Sequence, residues 1–233
     1  MRLLLPRSGG RAELRRLGLN AERDLHWDGC ANARDLGGLP TADGRVTRRG
    51  ALVRSDAVDG LGPAGWEALR AHGVRTIVDL RNEDELAKNA GGVETVHVPL
   101  DGLDEDPEFW SHWANGPQFG TPLYYGPFLE RFPDRMERVL DAIEQAQPGG
   151  VLFHCVGGRD RTGLVAIVLL ALAGVPPELI AEDYLRGAER APTHNPELEE
   201  FLAEQGTSAR DLVVELATGL ELDRPALRAR LIA

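Results

Sequence analysis

The chain has 233 residues, which fits one large domain or one domain with a small appendage, with a core that needs no disulfide or metal. Its net charge of -11 disfavours a general role in binding nucleic acid or anionic membranes. Its two cysteines, Cys30 and Cys155, are too few for a disulfide scaffold and fit a reducing cytoplasm. Its longest apolar stretch, 164–175, is about half of what a membrane span needs, so we expect a soluble cytoplasmic protein without stable membrane insertion.

The first half of the chain combines turn-rich segments, strand patterns and one helix. A basic segment at 11–19 is predicted to be a short helical lead-in, and the Gly-, Pro- and Asp-rich segment 25–44 predicts loops and hairpins. Pro63 predicts the first turn of a helix that stops at Gly73. Three segments have the apolar or alternating patterns of strands, namely 51–54, 74–80 and 93–100.

The second half is predicted to be mainly helical around one further strand. A long connection, 101–126, contains several aromatic residues and precedes helices over 127–147 that are interrupted at Pro133. A short strand at 151–153 leads through a loop into a helix at 162–173. This last helix is apolar on nearly every side, so we expect it to be central and buried.

The order of these elements predicts an α/β domain. Strands that alternate with helices indicate a central, mostly parallel sheet of about four to five strands flanked by helices. The polar, amphipathic segment 176–233 predicts a helical C-terminal cap. We therefore expect a single domain over 1–233, with a lead-in at 1–24, a functional core at 25–175 and the helical C-terminal part.

One segment, His154–Gly163, has the residues of an anion-binding loop with a reactive thiol. Cys155 follows the last strand pattern, and Gly157 and Gly158 permit the backbone conformations in which N–H groups turn inward. The next helix adds its N-terminal dipole, and Arg161 is placed to bind two phosphate oxygens. Such a loop favours the thiolate of Cys155, a nucleophile for a bound phosphate.

This arrangement predicts displacement at phosphorus in two steps. Cys155 attacks the phosphate and forms a phosphocysteine, which water then hydrolyses. The leaving oxygen needs a proton, so a carboxylic acid is expected close to it. The scheme requires neither a metal nor a cofactor.

The run His154–Gly163, which reads HCVGGRDRTG, resembles the signature of the protein tyrosine phosphatase superfamily. The Asp before the loop Arg is similar to an atypical bacterial group that acts on phosphotyrosine, phosphoserine/threonine or phosphoinositides. Three further segments resemble motifs of that group, namely 32–38, 54–56 and 79–81 with Glu85. The resemblance covers about 32–185 and implies a PTP-like fold. Arg159 stands where that group has Lys, so the positive charge is kept, but a planar guanidinium replaces a compact ammonium group.

The resemblance also implies roles for individual residues. Cys155 is expected to be the nucleophile and Arg161 the phosphate clamp. The general acid is either Asp160, which the bacterial group favours, or Asp101, on a separate loop as in conventional relatives. The residues expected to bind substrate are Val156, Gly157, Gly158, Arg159, Asp160, Arg161 and Thr162. Those expected to support the loop are His154, Asp79 and Arg81.

Further side chains are expected around the loop. The resemblance implies that Asp79 pairs with Arg159, and the alternative is that Asp79 is a turn residue at the end of its strand. The Thr162 hydroxyl is expected either to donate to the sulfur or to cap the helix. Four charged residues are expected to form ion pairs beneath the site: Arg34, Asp35, Arg54 and Asp56. Five aromatic residues either wall the pocket or fill the core: Trp110, Trp113, Phe119, Tyr124 and Tyr125.

Two classes of function fit these residues, whereas the Arg-Thr-Gly ending of the loop and the upstream motifs disfavour a third, a sulfurtransferase or arsenate reductase. A phosphatase that acts on phosphoproteins, phosphotyrosine above all, is favoured, and a phosphoinositide or another small phosphate ester is the main alternative substrate. A non-catalytic phosphate-binding module is the alternative of a different class. The expected partner is thus a phosphorylated protein or a small phosphate ester, and no nucleic acid.

Overall fold

A five-stranded sheet forms the centre of the part of the chain that the structure describes. The computed structural model describes residues 22–87, 91–103, 105–192 and 197–233, so the lead-in helix predicted at 11–19 lies outside it. The strands are β1 (Arg34–Asp35), β2 (Leu52–Ser55), β3 (Val74–Asp79), β4 (Glu94–His97) and β5 (Gly150–His154). Their order is β1-β2-β5-β3-β4, and every neighbouring pair except β1–β2 is parallel. The predicted α/β architecture is confirmed.

Nine α-helices belong to the described residues. They are α1 (Pro63–Ala71), α2 (Pro107–Trp113), α3 (Tyr125–Arg131), α4 (Pro133–Gln145), α5 (Asp160–Ala173), α6 (Pro177–Arg190), α7 (Glu197–Glu204), α8 (Ala209–Gly219) and α9 (Pro225–Leu231). Proline occupies the first turn of α1, α2, α4, α6 and α9, where its missing N–H costs no hydrogen bond. The interruption predicted at Pro133 is confirmed, because this proline starts α4 directly after α3.

The connection predicted over 101–126 contains a short helix, α2, which is not predicted from the sequence. The Asp106 carboxylate accepts a hydrogen bond from the N–H of Phe109 and so caps the helix. Trp110 is buried and stacks on Phe132, with 6.3 Å between the ring centroids. Three aromatic residues of this segment, Phe109, Trp110 and Trp113, therefore belong to a short helix.

A buried helix, α5, joins the sheet to the C-terminal helices. It is apolar on nearly every side, as predicted, and most of its residues are buried. The same apolar cluster extends to Val213 of α8 and to Leu227 and Leu231 of α9. An isolated β-bridge joins Thr47 to Ile232. The helical C-terminal cap is confirmed, and the shared core supports the single domain that we predict.

The carboxyl ends of β2, β3 and β5 lie side by side in the sheet. The parallel register pairs His154 with Ser55 of β2 on one side and with Asp79 of β3 on the other. The residues that follow these strands therefore meet at one edge of the sheet, which is where open α/β sheets bind ligands. Cys155 is the first residue after the central strand.

Candidate active site

The loop after β5 encloses a cavity of about 330 Å³. Its walls are formed by Phe119, Gly120, Cys155, Val156, Gly157, Arg159, Asp160, Arg161 and Leu198. Six of these are predicted site residues, whereas Gly158, Thr162 and Asp101 do not line the cavity. Helix α5 begins at Asp160, so its N-terminus and its partial positive charge adjoin the cavity.

The loop turns its carbonyl oxygens outward. His154 Nδ1 donates to the carbonyl of Cys155, and the Ala57 N–H donates to the carbonyl of Val156, both at 2.9 Å. The described part of the chain contains no cis peptide, so each of these carbonyls and the N–H of the following residue point in opposite directions. Backbone N–H groups are thereby directed inward, where they are able to bind an anion.

Only one of the two loop glycines uses a backbone conformation that favours glycine. Gly158 has a φ of +67°, whereas Gly157 has no positive φ. A Cβ at Gly158 would lie 2.5 Å from the Ser55 carbonyl oxygen and 2.6 Å from the Asp56 nitrogen. Gly158 thus lets the loop pack directly against the end of β2.

Arg161 lines the cavity between two carboxylates. Both of its terminal nitrogens bind Glu85, with 2.8 Å from Nη2 to Oε1. Its Nε lies 3.3 Å from Asp101 Oδ2. The hydrogen bonds from Arg161 hold the pKa of Glu85 below its usual value. Glu85 therefore orients the guanidinium, a role that its place in the third motif did not reveal.

Arg159 does not bind Asp79, so that predicted ion pair is wrong. The guanidinium of Arg159 donates to the carbonyl of Gly120, and its Nε lies 3.4 Å from Asp160 Oδ1. Asp79 instead binds Arg81, with 2.7 Å from Nη2 to Oδ2. Arg81 follows Asp79 by two residues and folds back onto the carboxylate, while Arg159 extends to Gly120 in the cavity wall.

His154 lies beneath Cys155 as a buried, neutral histidine. Burial lowers its pKa, and its Nδ1–H supports the carbonyl of Cys155. Its Nε2 has no hydrogen-bond partner within the described residues and lies 3.7 Å from Asp79 Oδ2. Although burial alone would raise it, the hydrogen bonds from Arg81 hold the pKa of Asp79 below its usual value. These two predicted supporting residues thus stand under the loop.

The two candidate proton donors both keep their protons to higher pH than an exposed aspartate. Asp160 is a cavity wall residue with 32% of its side chain exposed, and the loss of hydration around its carboxyl group raises its pKa. Asp101 is 6% exposed, and burial raises its pKa to about 6 against the attraction of Arg161. The Tyr125 hydroxyl lies 3.5 Å from Asp160 Oδ1.

Thr162 has neither of the two roles expected from the sequence. Its hydroxyl is buried without a hydrogen-bond partner in the described part of the chain, so no bond to the sulfur forms. Arg159 occupies the N-cap position of α5, which begins at Asp160, two residues before the predicted start. Thr162 therefore lies inside the first turn of the helix.

The five aromatic residues divide between the core and the cavity. Trp110, Tyr124 and Tyr125 are buried core residues, and Trp113 packs against that core. Phe119 is 43% exposed and lines the cavity. Of these five aromatic residues, only Phe119 therefore lines the cavity. Leu198 also lines the cavity, and it carries no sequence signal that separates it from other apolar helix residues.

The four charged residues predicted beneath the site do not pair with one another. Arg34 and Arg54 both bind Asp183 of α6, at 3.0 and 2.9 Å. Asp183 was missed, because an aspartate in a polar, amphipathic helix does not reveal that it will be buried. The two other residues, Asp35 and Asp56, have separate partners.

Asp35 and Asp56 each bind a group outside the predicted set. Asp35 lies 3.0 Å from His72 Nε2. The Cys30 thiol donates to Asp56 Oδ1 at 2.6 Å, and burial together with this carboxylate raises the pKa of Cys30. Cys30 and Cys155 are both free thiols.

The described ranges contain neither a cluster of metal-ligating side chains nor a helix that could span a membrane. Within them, no group of three or more His, Cys, Asp or Glu side chains is arranged to hold a metal ion. Of the helices α1 to α9, none is long and apolar enough to cross a membrane.

The chain is similar to proteins of one family. A model of the tyrosine phosphatase family matches residues 25–231. A protein of Cupriavidus necator, provisionally named a tyrosine-protein phosphatase, is 32% identical over 179 residues, which cover 74% of this chain and 66%, just under two thirds, of that protein. The triple specificity protein phosphatase PtpB of Mycobacterium tuberculosis is 26% identical over 209 residues, with coverage of 76% and 74%. The crystal structure of P. aeruginosa TpbA in complex with phosphotyrosine is 18% identical with a TM-score of 0.37, over 72% of this chain and 87% of that one.

Proposed function

The chain belongs to the tyrosine phosphatase family, and from this membership we propose that it is a cysteine-dependent phosphatase that hydrolyses phosphomonoesters. The family assignment confirms the resemblance of the sequence motifs. The observation that carries the proposal is the position of Cys155 in a cavity with inward N–H groups, the N-terminus of α5 and the guanidinium of Arg161. These are the donors that a phosphate dianion needs.

In the proposed first step, the Cys155 thiolate attacks the phosphorus atom. The S–P bond forms while the bond from phosphorus to the leaving oxygen breaks, and the loop N–H groups and Arg161 bind the three remaining oxygens. The leaving oxygen takes a proton from an aspartic acid. We assign this role to Asp160, because it lines the cavity beside Cys155 and burial raises its pKa.

In the second step, water hydrolyses the phosphocysteine. The carboxylate that gave up its proton now accepts one from water, the new P–O bond forms, and the S–P bond breaks to return the thiolate. Asp101 is the rival proton donor, supported by its raised pKa and its position 3.3 Å from Arg161.

We propose phosphotyrosine in proteins as the main substrate. Phe119 exposes its ring at the cavity wall, where it is placed to contact the aromatic ring of the ester. The guanidinium of Arg161 is already paired with the carboxylate of Glu85, which offsets its positive charge. This balance of charge suits one phosphate better than a headgroup with several.

Phosphoserine and phosphothreonine remain within the proposed range, and a phosphoinositide is the alternative substrate. The relative named a triple specificity phosphatase supports such breadth. The net charge of -11 argues against work at an anionic membrane. The free thiols Cys30 and Cys155 suit the reducing cytoplasm in which we propose that the protein acts.

The experiment that tests this function is hydrolysis of p-nitrophenyl phosphate in the presence of a chelator. Wild-type protein is expected to release p-nitrophenol, and Cys155→Ser is expected to lower kcat about a thousandfold or more, because the alcohol is a poor nucleophile at neutral pH. The matched control is Cys30→Ser, whose thiol binds Asp56 outside the cavity.

Three outcomes would contradict the proposal. If Cys155→Ser remains active, the thiolate mechanism is wrong. If the chelator abolishes activity, the reaction depends on a metal. Protein that binds phosphotyrosine but leaves p-nitrophenyl phosphate intact is a binding module. A panel of phosphopeptides and phosphoinositide vesicles then ranks the substrates of an active enzyme.

A further inference from the structure

Two side chains from the N-terminal part of the chain hold the carbonyl oxygens of the loop glycines. Asn32 Nδ2 donates to the carbonyls of Gly157 and Gly158, at 3.1 and 3.3 Å. Arg54 Nη2 donates to the Gly158 carbonyl at 2.8 Å. Asn32 is 0% and Arg54 1% exposed, so water does not compete for these hydrogen bonds.

These hydrogen bonds determine where two backbone N–H groups point. In a planar trans peptide the carbonyl of one residue and the N–H of the next are antiparallel. A Gly157 carbonyl held outward therefore directs the N–H of Gly158 inward, and the Gly158 carbonyl does the same for the N–H of Arg159. Neither Asn32 nor Arg54 lines the cavity, so both act on it through the loop.

Asp183 of α6 orients Arg54. Arg54 Nη1 lies 2.9 Å from Asp183 Oδ2, while the other terminal nitrogen reaches the loop. Arg34 Nε binds the same carboxylate at 3.0 Å, and Arg23 binds it as well. Against the effect of burial, these guanidinium groups hold the pKa of Asp183 well below its usual value, so the anchor is a carboxylate.

Helix α6 leaves room for the guanidinium groups of Arg34 and Arg54 at Gly187, which has no side chain. A Cβ there would lie 2.7 Å from Arg54 Nη2 and 2.9 Å from Arg34 Nη2. The backbone carbonyl of Gly187 also accepts a hydrogen bond from Asn32 at 3.0 Å. Helix α6 is thus joined to the loop through Asn32 and Arg54, with Asp183 as the fixed point.

We propose that Arg54 and Asn32 are positioning residues of the phosphatase reaction, which hold two loop carbonyls outward and so aim the N–H groups of Gly158 and Arg159 at the bound phosphate. Asp183 keeps Arg54 in the orientation that this requires. The inference rests on the proposed function and deepens it, because it assigns the alignment of the phosphate donors to residues outside the cavity.

The test uses the full chain with Cys155→Ser, which is expected to bind inorganic phosphate without turnover. Arg54→Lys is added, since lysine keeps the charge but is a single donor that does not span Asp183 and the Gly158 carbonyl. We expect phosphate binding to weaken about tenfold or more. In ¹⁵N NMR spectra, the phosphate-induced shifts of the Gly158 and Arg159 amides are expected to shrink.

The matched control is Arg224→Lys, which changes an arginine that binds Glu137 and Asp141 away from the cavity. It is expected to leave phosphate affinity and both amide shifts unchanged. Asn32→Ser is a second variant, which removes the amide donor and the oxygen that accepts from Arg34 Nη1 but leaves both partners of the Arg54–Asp183 ion pair in place. It is expected to act like Arg54→Lys.

The outcomes separate this inference from the proposed function. Cys155→Ser protein that binds no phosphate contradicts the function itself. If it binds phosphate, and folded Arg54→Lys and Asn32→Ser proteins bind it as tightly with the same Gly158 shift, the positioning role is wrong. A merely structural role would lower the free energy of unfolding without altering these amide signals.

Discussion

Asp160 and Asp101 differ in what surrounds their carboxyl groups. Asp160 lies in the cavity wall with the Arg159 guanidinium and the Tyr125 hydroxyl close to it, whereas Asp101 is buried next to Arg161. Only an acid that reaches the leaving oxygen lowers the barrier for a poor leaving group. This difference makes the assignment of the proton donor testable with two esters.

We expect Asp160→Asn to slow hydrolysis of phenyl phosphate by about 10²–10⁴-fold and that of p-nitrophenyl phosphate far less. Phenolate needs the proton, while p-nitrophenolate leaves without it. The measurement is kcat for both esters across pH, and the basic limb of the phenyl phosphate profile should disappear. A similar loss for both esters would indicate that Asp160 supports the loop instead.

Asp101→Asn is the matched control, and it has a stability readout of its own. Burial raises the pKa of Asp101 from 3.8 to about 6, so between these values the folded protein keeps a proton that the unfolded chain has lost. Stability therefore falls as pH rises through this window, and the substitution is expected to remove that dependence. Ester-dependent loss of kcat in Asp101→Asn would transfer the acid role to this residue.

At the scale of elements, the loop between β5 and α5 depends on its contact with the end of β2. Gly158→Ala introduces a Cβ that meets the Ser55 carbonyl, and the backbone there cannot yield as a flexible side chain would. We expect the loop to shift and kcat/KM for p-nitrophenyl phosphate to fall by about tenfold or more.

Gly44→Ala is the matched control, because it places alanine at a positive φ without the steric clash that Gly158→Ala causes. Gly44 has a φ of +83°, but a Cβ there would have nothing within 4 Å. It is therefore expected to lose about 1 kcal/mol of unfolding free energy and no activity. Equal activity of Gly158→Ala and wild type would show that this contact does not shape the loop.

Elements with a strong local pattern could be predicted from the sequence, and those formed by distant contacts could not. Strands β2, β3 and β5 combine β-branched and apolar residues, and the run around Cys155 has an unusual set of residue types. Strand β1 consists only of Arg34–Asp35, and two charged residues in sequence predict a polar loop. Arg34 is buried through its bond to Asp183, about 150 residues further along the chain, which the local sequence does not reveal. Arg159 was given the wrong partner for the same reason, since its contact with Gly120 depends on tertiary structure.

At the scale of the whole molecule, the C-terminal helices share one apolar core with the sheet. Leu227 of α9 is 0% exposed within that core, and Leu103 is 41% exposed. We expect Leu227→Ala to lower the free energy of unfolding by about 2–5 kcal/mol, and Leu103→Ala to change it by no more than about 0.5 kcal/mol.

Urea unfolding followed by tryptophan fluorescence and by far-UV circular dichroism measures this prediction. A single domain gives coincident transitions, and Leu227→Ala moves both midpoints together. The prediction is wrong if Leu227→Ala shifts only part of the dichroism signal and leaves the fluorescence transition in place. In that case the segment 176–233 unfolds by itself.

The central strand of the sheet, β5, is the last of the five strands that the ribosome makes. A nascent chain that stops before residue 150 leaves β2 and β3 each with an unpaired edge, because β5 is their common neighbour. Such edges pair readily with other chains, so this stage of synthesis is where aggregation competes with folding. The thiol of Cys155 leaves the ribosome directly behind the strand that closes the sheet. The reactive group is therefore made only once all the strands that will enclose it exist.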